Sequence, residues 1–411
     1  MKLFQINFLM LKVFIDLGTT NLKIETYNHK KLIEKLTFLN RHIYFDNDNY
    51  FYADKLFEFL KKYFISLNNK YAQNIFIIFS SAMHTLIFLD ENYNQIDKGR
   101  SFLEKVDFKL NEEKKIFYRK INKLVNSEFL PIYKINKFSE INYNSITTLK
   151  SYILYKFTCE KVIEISDAVG LGLIDSKNRV FSKEIISSIN LKEELLPQLI
   201  LERKIFECSL KKFILKIDLG ISDGASAAIG SAFNKNSISL SIGTTLGIRY
   251  ITSKFVDTIW DFDYCFPIYN DKWIYGISSS NGANNIELII SKMNLTLDDL
   301  NNIDFSNAKL INKKIFFYKE RFNQSLLEIN ETNFNIDLLY TYIIQMINRV
   351  KKYKDIIDSN KKNKSQIIAT GGLFSNIHIA ALFKKEFKND IIISKDNNLS
   401  ITGLKEIIQR W

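Results

Sequence analysis

Two short turns carry the residue types needed to hold a phosphate. Ile15-Asp-Leu-Gly-Thr-Thr20 and Leu240-Ser-Ile-Gly-Thr-Thr245 each place Gly-Thr-Thr after an apolar run that reads as a strand, and each is followed by a second extended segment. Such a turn presents successive backbone N–H groups and hydroxyls toward one point, a concavity suited to phosphate oxygens. Gly18, Thr19 and Thr20 in the first turn, and Gly243, Thr244 and Thr245 in the second, are therefore candidate phosphate ligands. Asp16 precedes the first turn. A carboxylate there can hold Mg²⁺ through water, because Mg²⁺ keeps much of its hydration shell. Ser241 takes the matching place in the second, so one turn is acidic and the other neutral. Facing each other, the two could clasp a polyphosphate from both sides.

Three further positions could complete a reaction centre. Asp223 opens a run of small residues, Gly224-Ala-Ser-Ala-Ala-Ile-Gly-Ser-Ala232, that reads as a tightly packed helix. A carboxylate at a helix start can cap free N–H groups. It can equally accept a proton from an attacking hydroxyl, and phosphoryl transfer needs positioning, a metal and one such base. Met83 and His84 follow the apolar run 75–79 and would stand at a strand's carboxyl end, where open α/β sheets bind their ligands. Gly371 and Gly372 precede a helix with Ser375 as its expected cap; glycines there let a flat ring such as adenine lie against backbone. His29, His42 and His378 have no partner motif.

The elements that must position these residues follow from periodicity. Strands are expected at 11–16, 21–27, 30–38, 75–80 and 85–90, a helix at 54–68 capped by Asp54, and helices near 112–125, 145–157 and 191–203, before a strand at 213–217. The order then recurs: strands at 237–242, 246–252 and 272–277, helices at 283–292 and 336–356, a strand at 366–369, a helix at 376–387 and a strand at 390–394. Alternation of this kind defines an α/β protein, and the repeated strand–turn–strand unit indicates a duplicated domain. The boundary falls near residue 233, giving domains 1–233 and 234–411. Residues 1–10 read as an extension, with Met10 an alternative start.

Composition narrows the field. The chain has 411 residues with 46% hydrophobic and 25% charged residues, which is globular. Three cysteines and four histidines, without a CxxC, exclude a disulfide scaffold and a Cys/His zinc cluster, and point to a reducing, cytoplasmic location. No run approaches the roughly 18 apolar residues of a membrane span. The net charge of +12 comes from scattered lysines without a nucleic-acid-binding motif, so neither membrane nor nucleic acid is an expected partner. Only 14 glycines are present, against about 29 at average usage. Thirteen of them fall in six short stretches, leaving Gly99 alone, as expected where backbone freedom or close approach is needed.

Taken together, these segments resemble the FGGY family of carbohydrate kinases, in the sugar kinase–actin superfamily. The likeness runs from about 11 to 405 in the family's order. Phe14 to Lys23 resembles the first phosphate motif and Leu240 to Arg249 the second. Phe79 to Glu91 resembles the substrate loop. Ile165-Ser-Asp-Ala-Val-Gly-Leu-Gly172 resembles the segment before the domain crossover. Gly220 to Ala232 resembles the helix bearing the catalytic Asp, and Ala369-Thr-Gly-Gly372 the adenosine motif. Ser-Ala-Met-His, Ser-Asp-Gly-Ala and Ser-Ile-Gly-Thr-Thr-x-Gly-Ile-Arg lean toward gluconate kinases. Two departures stand out. Ile96-Asp-Lys-Gly-Arg-Ser101 occupies the place of the family's Trp-x-Asp-x-Arg, and Lys319-Glu-Arg-Phe322 lacks the proline of Glu-Arg-x-Pro.

The resemblance implies a two-domain, actin-like (ribonuclease H-like) ATPase fold, its duplicated domains flanking a central cleft. It implies ATP and Mg²⁺ as cofactors and transfer of phosphate to a small-molecule sugar or sugar acid, D-gluconate first. Asp223 would be the base, and Met83, His84, Asp223 and Gly224 would contact the sugar. Gly18, Thr19, Thr20, Lys23, Gly243, Thr244, Thr245, Gly371 and Gly372 would bind ATP, with Asp16 organising the metal. A homodimer is compatible with this reading. Xylulose kinase or another FGGY sugar kinase, and an eroded nucleotide-binding regulatory protein, stand as alternatives. An actin-like filament or chaperone ATPase would share the fold but have no use for the loop at Ser80–His84.

Overall fold

The computed structural model describes residues 10–102, 104, 112–124, 130–138, 141–232, 237–259, 262–279, 281–296, 298–312, 334–396 and 398–410. The extension 1–9, the boundary at 233 and Lys319–Phe322 lie outside these residues. The chain divides into two compact units. The first is Met1–Gly230 with Phe266–Lys272 and Ser400–Trp411; the second is Ser231–Cys265 with Trp273–Leu399. Each is therefore discontinuous in sequence.

The first unit is built on a six-stranded sheet. Its strands are β1 (Met10–Leu17), β2 (Asn21–Asn28), β3 (Lys31–Leu39), β4 (Asn74–Ser81), β5 (Ile205–Leu210) and β6 (Phe213–Ser222), in the order β5-β6-β4-β1-β2-β3. β1–β2–β3 is an antiparallel meander, while β4 runs parallel to β1 and β6 parallel to β4. Parallel neighbours need a crossover, and helix α1 (Ala53–Tyr71) supplies the one from β3 to β4. Its Leu56, Leu60, Phe64 and Leu67 are buried at helical spacing against the sheet's apolar face. Each such side chain contributes about 1.5–3 kcal/mol. Helices α2 (Leu149–Thr158), α3 (Ile165–Gly170) and, up to Gly230, α4 (Asp223–Ala232) also belong here.

The second unit repeats the plan. Strands β7 (Ser237–Ile242), β8 (Leu246–Thr252), β9 (Asp263–Ile268), β10 (Lys272–Ser279), β11 (Gln366–Thr370) and β12 (Ile391–Ile393) lie in the order β9-β10-β8-β7-β11-β12. β8 lies antiparallel between β7 and β10, with β11 parallel to β7 and β12 parallel to β11. Five strands of each sheet thus correspond in order and direction, which is the duplication expected from the two Gly-Thr-Thr turns. Helices α5 (Ala283–Lys292), α6 (Ile336–Lys361) and α7 (Ile377–Phe387) complete it, and the last helix, α8 (Leu399–Arg410), falls in the first unit apart from Leu399.

Some local expectations are corrected. The helix expected at 191–203 is a short 3-10 turn at Glu193–Leu195 and a strand at Gln198–Ile200. Pro197 removes an N–H and disfavours helix at Leu196, which is extended. The helix expected from 145 begins at Leu149, after a strand at Ser145–Thr147. Tyr52, not Asp54, holds the cap position of α1. No helix among the described residues is long and apolar enough to cross a membrane.

Candidate active site

In the first unit β1, β4 and β6 deliver their carboxyl ends to one place. Asp16 pairs in register with Ser80, and Ser80 with Ile221; Leu17 and Ser222 both pair with Ser81. The Gly-Thr-Thr turn, the Met83–His84 loop and Asp223 therefore emerge side by side from three adjacent parallel strands. Gly220 makes the last of these exits. Its φ is +60°, and a Cβ there would lie 1.8 Å from the carbonyl oxygen of Phe79, so only glycine lets β6 bulge and re-aim its end.

Asp16 is 5% exposed, and its Oδ1 has no hydrogen-bond partner. Burial first, and the nearby Asp223 carboxylate second, push its pKa up to about 6; Lys23, its partner across the β1–β2 ladder, and Ser80 oppose this. A buried carboxylate with an orphaned oxygen beside a second acid fits a bound cation. The described residues hold no cluster of three acidic, His or Cys side chains, so water and phosphate oxygens would complete the shell. The turn itself is closed by a bond from the Gly18 N–H to the Asn21 carbonyl, 3.1 Å. Asn40 braces it from the end of β3: its side chain donates to the Gly18 carbonyl at 2.7 Å and its backbone N–H to the Thr20 carbonyl at 3.0 Å. Thr20 is left exposed.

His84 sits at φ +66°, and its Nδ1 lies 2.8 Å from the carbonyl oxygen of Gly170 at the end of α3. Nδ1 must donate in that bond, so the neutral ring keeps Nε2 as acceptor. Asp223 opens α4, half-buried, with its Oδ1 accepting from the Gly224 N–H at 2.6 Å.

In the second unit the other turn and the double glycine meet. Gly243 donates to the Thr245 carbonyl at 3.0 Å, and the start of α5 clasps the turn from behind, Ala283 N–H donating to the Gly243 carbonyl at 2.7 Å. β7 and β11 run side by side with Ser241 opposite Thr370. Gly371 has φ +115°, and a Cβ there would lie 2.1 Å from the Ile242 carbonyl oxygen, so the Gly-Gly segment rests directly on the strand entering the turn. Space at Gly372 is open. The helix cap expected at Ser375 is provided instead by Asn376, whose side chain accepts from the Ile379 N–H at 2.8 Å; Ser375 bonds the Gly372 carbonyl.

The sequence-predicted residues thus gather in two groups. Asp16, Gly18, Thr19, Thr20, Lys23, Met83, His84, Asp223 and Gly224 lie at one end of the first sheet. Gly243, Thr244, Thr245, Gly371 and Gly372 lie at one end of the second. Residues not singled out from sequence hold both groups in place. Beside Asn40, these are a buried ion cluster of Lys150, Glu164 and Asp167, and a buried chain of Asn281, Asn285 and Tyr342 behind the second turn. Lys150 donates to Glu164 at 2.7 Å, and Thr148 and Ser81 donate to Asp167. Ser166 Oγ bonds Glu164 and also receives the N–H of Ser222, the residue before Asp223. Tyr342 donates to the carbonyl of Gly282 at 3.0 Å. Runs of Asn, Lys and Tyr recur throughout this chain, so no local signal marks these members.

This pair of five-stranded repeats defines a sugar-kinase fold. The fold matches a ligand-bound xylulose kinase from Lactobacillus acidophilus with a TM-score of 0.78, at 20% identity over 97% of this chain and 89% of that one. It matches a gluconate kinase from the same organism with a TM-score of 0.79, at 19% identity over 98% and 89%. Residues 11–214 match the FGGY family of carbohydrate kinases, N-terminal domain. A gluconokinase of Bacillus subtilis (strain 168) is 27% identical over 51% of this chain and 44% of its own length. A xylulose kinase of Staphylococcus xylosus is 26% identical over 72% and 68%. The chain thus aligns with under half the length of the curated gluconokinase.

Proposed function

We propose that this protein transfers the γ-phosphoryl group of ATP to a hydroxyl of a sugar or sugar acid, with D-gluconate as the first acceptor to test and xylulose the second. The observation that carries the reading is the exit of Asp16, the Met83–His84 loop and Asp223 from three adjacent parallel strands. That arrangement puts a metal-organising acid, a polar substrate loop and a candidate base within one small volume. The family match supports the reaction class. The gluconokinase and xylulose kinase relatives support the two acceptors.

In this reading Asp223 takes the proton of the acceptor hydroxyl as its oxygen attacks the γ-phosphorus, and the bond to the bridging oxygen breaks to release ADP. His84, held by Gly170, and Met83 place the sugar. The turns at Gly18–Thr20 and Gly243–Thr245 hold phosphate oxygens through N–H and hydroxyl groups, and Gly371 and Gly372 flank adenine. Mg²⁺ near Asp16 would neutralise phosphate charge.

The test is ADP release by the purified chain across gluconate, xylulose, other pentuloses and glycerol, with and without Asp223→Asn. Turnover with one acid or ketose, abolished in D223N while ATP affinity stays within a few-fold, is expected. Full activity in D223N would remove Asp223 from the mechanism. Inactivity across the panel with retained ATP binding would favour the eroded, regulatory alternative, which the replaced Trp-x-Asp-x-Arg segment motivates.

A further inference from the structure

Buried charges in this protein are almost all accounted for by a partner. Arg100 pairs with Asp97 and Glu104, Lys150 with Glu164, Arg203 with Asp218, and Lys354 with Asp358. Arg249 differs. It is 8% exposed on β8, and its side chain makes no hydrogen bond or ion pair with any described residue. None of its nitrogens is among the fully buried, unpartnered polar atoms, so the guanidinium keeps some contact with solvent while facing no anion of the described residues, which leaves it able to pair with an anionic ligand.

Its surroundings indicate which ligand. The terminal nitrogens lie back along β8 toward the turn, with Nη2 2.9 Å and Nη1 3.2 Å from where a Cβ on Gly247 would stand. Any larger residue at 247 would push the head away. Strand pairing puts Ser241 and Ser278 on either side of Gly247, and Ser239 and Gly276 on either side of Arg249, all on one face of the sheet. That face is the one opposite the apolar side chains of Leu240, Ile242, Ile248 and Ile277, which enter the core. Ser278 Oγ is buried there without a hydrogen-bond partner. A cation and an unsatisfied hydroxyl thus share a floor of small residues that begins at Gly243–Thr245. The first turn offers a contrast, for its lysine, Lys23, already faces Asp16 across the ladder.

We propose that Arg249 is an oxyanion-binding residue of the second turn, and that its ligand is a phosphate group of the nucleotide. The assignment rests on the kinase reading only in naming that anion as nucleotide phosphate. A bidentate guanidinium would add two charge-assisted hydrogen bonds to those of the turn's N–H groups.

The experiment measures binding of ATP, ADP, adenosine, inorganic phosphate and gluconate to the full chain by calorimetry, for wild type, R249Q and R249K, with thermal melts of each unliganded protein. R249Q is expected to weaken ATP and ADP roughly 10- to 100-fold, as loss of charge-assisted bonds does, while adenosine binds unchanged and R249K falls between. The unliganded R249Q protein is expected to melt close to the wild-type temperature, because the substitution breaks no ion pair among the described residues. Wild-type ATP affinity in R249Q would overturn the proposal. Weakened gluconate binding with unchanged ATP binding would overturn the nucleotide assignment and make a substrate carboxylate the anion. A lowered melt with every ligand weakened alike would make Arg249 structural. Failure of the wild-type chain to bind any nucleotide would defeat the kinase reading first and the phosphate assignment with it.

Discussion

Replacing Asp16 by asparagine separates the cost of a functional carboxylate from its use. Burial and the neighbouring Asp223 raise the Asp16 pKa from 3.8 to about 6. The folded chain therefore binds this proton more tightly than the unfolded chain does. Stability contributed by the protonated form is lost as pH climbs from near 4 to near 6, and the penalty persists in full above that window. Two units at 1.36 kcal/mol each amount to about 3 kcal/mol. The side chain is almost completely buried, so little of this is screened. The attraction to Lys23 is already contained in that figure, and burying the asparagine amide takes back part of it, so the net gain is about 1–3 kcal/mol at pH 8 without divalent cations. For a unit of this size that corresponds to roughly 3–10 °C in Tm. Scanning calorimetry at pH 4 and pH 8 should show D16N melting higher only at pH 8, with the two proteins converging at pH 4. Adding Mg²⁺ and ADP should raise the wild-type Tm and leave D16N unmoved, and D16N should have no kinase activity. A D16N protein that melts at or below wild type at pH 8, or whose gap is the same at both pH values, would refute the reasoning.

Other changes follow from the same geometry. Gly371→Ala would drive a Cβ into the Ile242 carbonyl and force an unfavourable φ, so the second unit should lose about 1–3 kcal/mol and ATP affinity should fall at least tenfold by calorimetry. Gly372→Ala, where space is open, should leave stability unchanged and affect only nucleotide binding; equal melts for the two variants would contradict this. Lys150→Met would leave Glu164 and Asp167 buried without their cation, a loss of about 3–5 kcal/mol. Asp167 is already raised to about 7 by burial, despite Lys150 and with Glu164 adding to it. Without Lys150 its proton should be held more tightly still, so denaturant unfolding should show a smaller loss at pH 6 than at pH 8; an equal loss at both would rule out the charge explanation.

Much of the site was legible because it is local. A Gly-Thr-Thr turn would bind through its own backbone, and Asp223 would act from the first residue of its own helix, so a few adjacent letters suffice to mark each. Strand and helix periodicity placed most elements for the same reason. The error at 191–203 came from weighing apolar spacing above Pro197. The braces escaped notice because their meaning is non-local: Asn40 lies 22 positions from the turn carbonyl it holds, and Tyr342 lies 60 from the Gly282 carbonyl it bonds.

The order of residues along the chain by itself determined the two Gly-Thr-Thr turns, the acid at the head of a small-residue helix and the duplicated plan. Each of these is written in short-range spacing and in the few glycines this chain retains. Tertiary structure alone decided which charges are costly. Lys150 and Arg249 look like any other basic residue in a lysine-rich sequence. One is matched by a buried acid, Glu164, brought from 14 residues away, while the other faces no anion among the described residues, because burial and pairing depend on which strands and helices pack together.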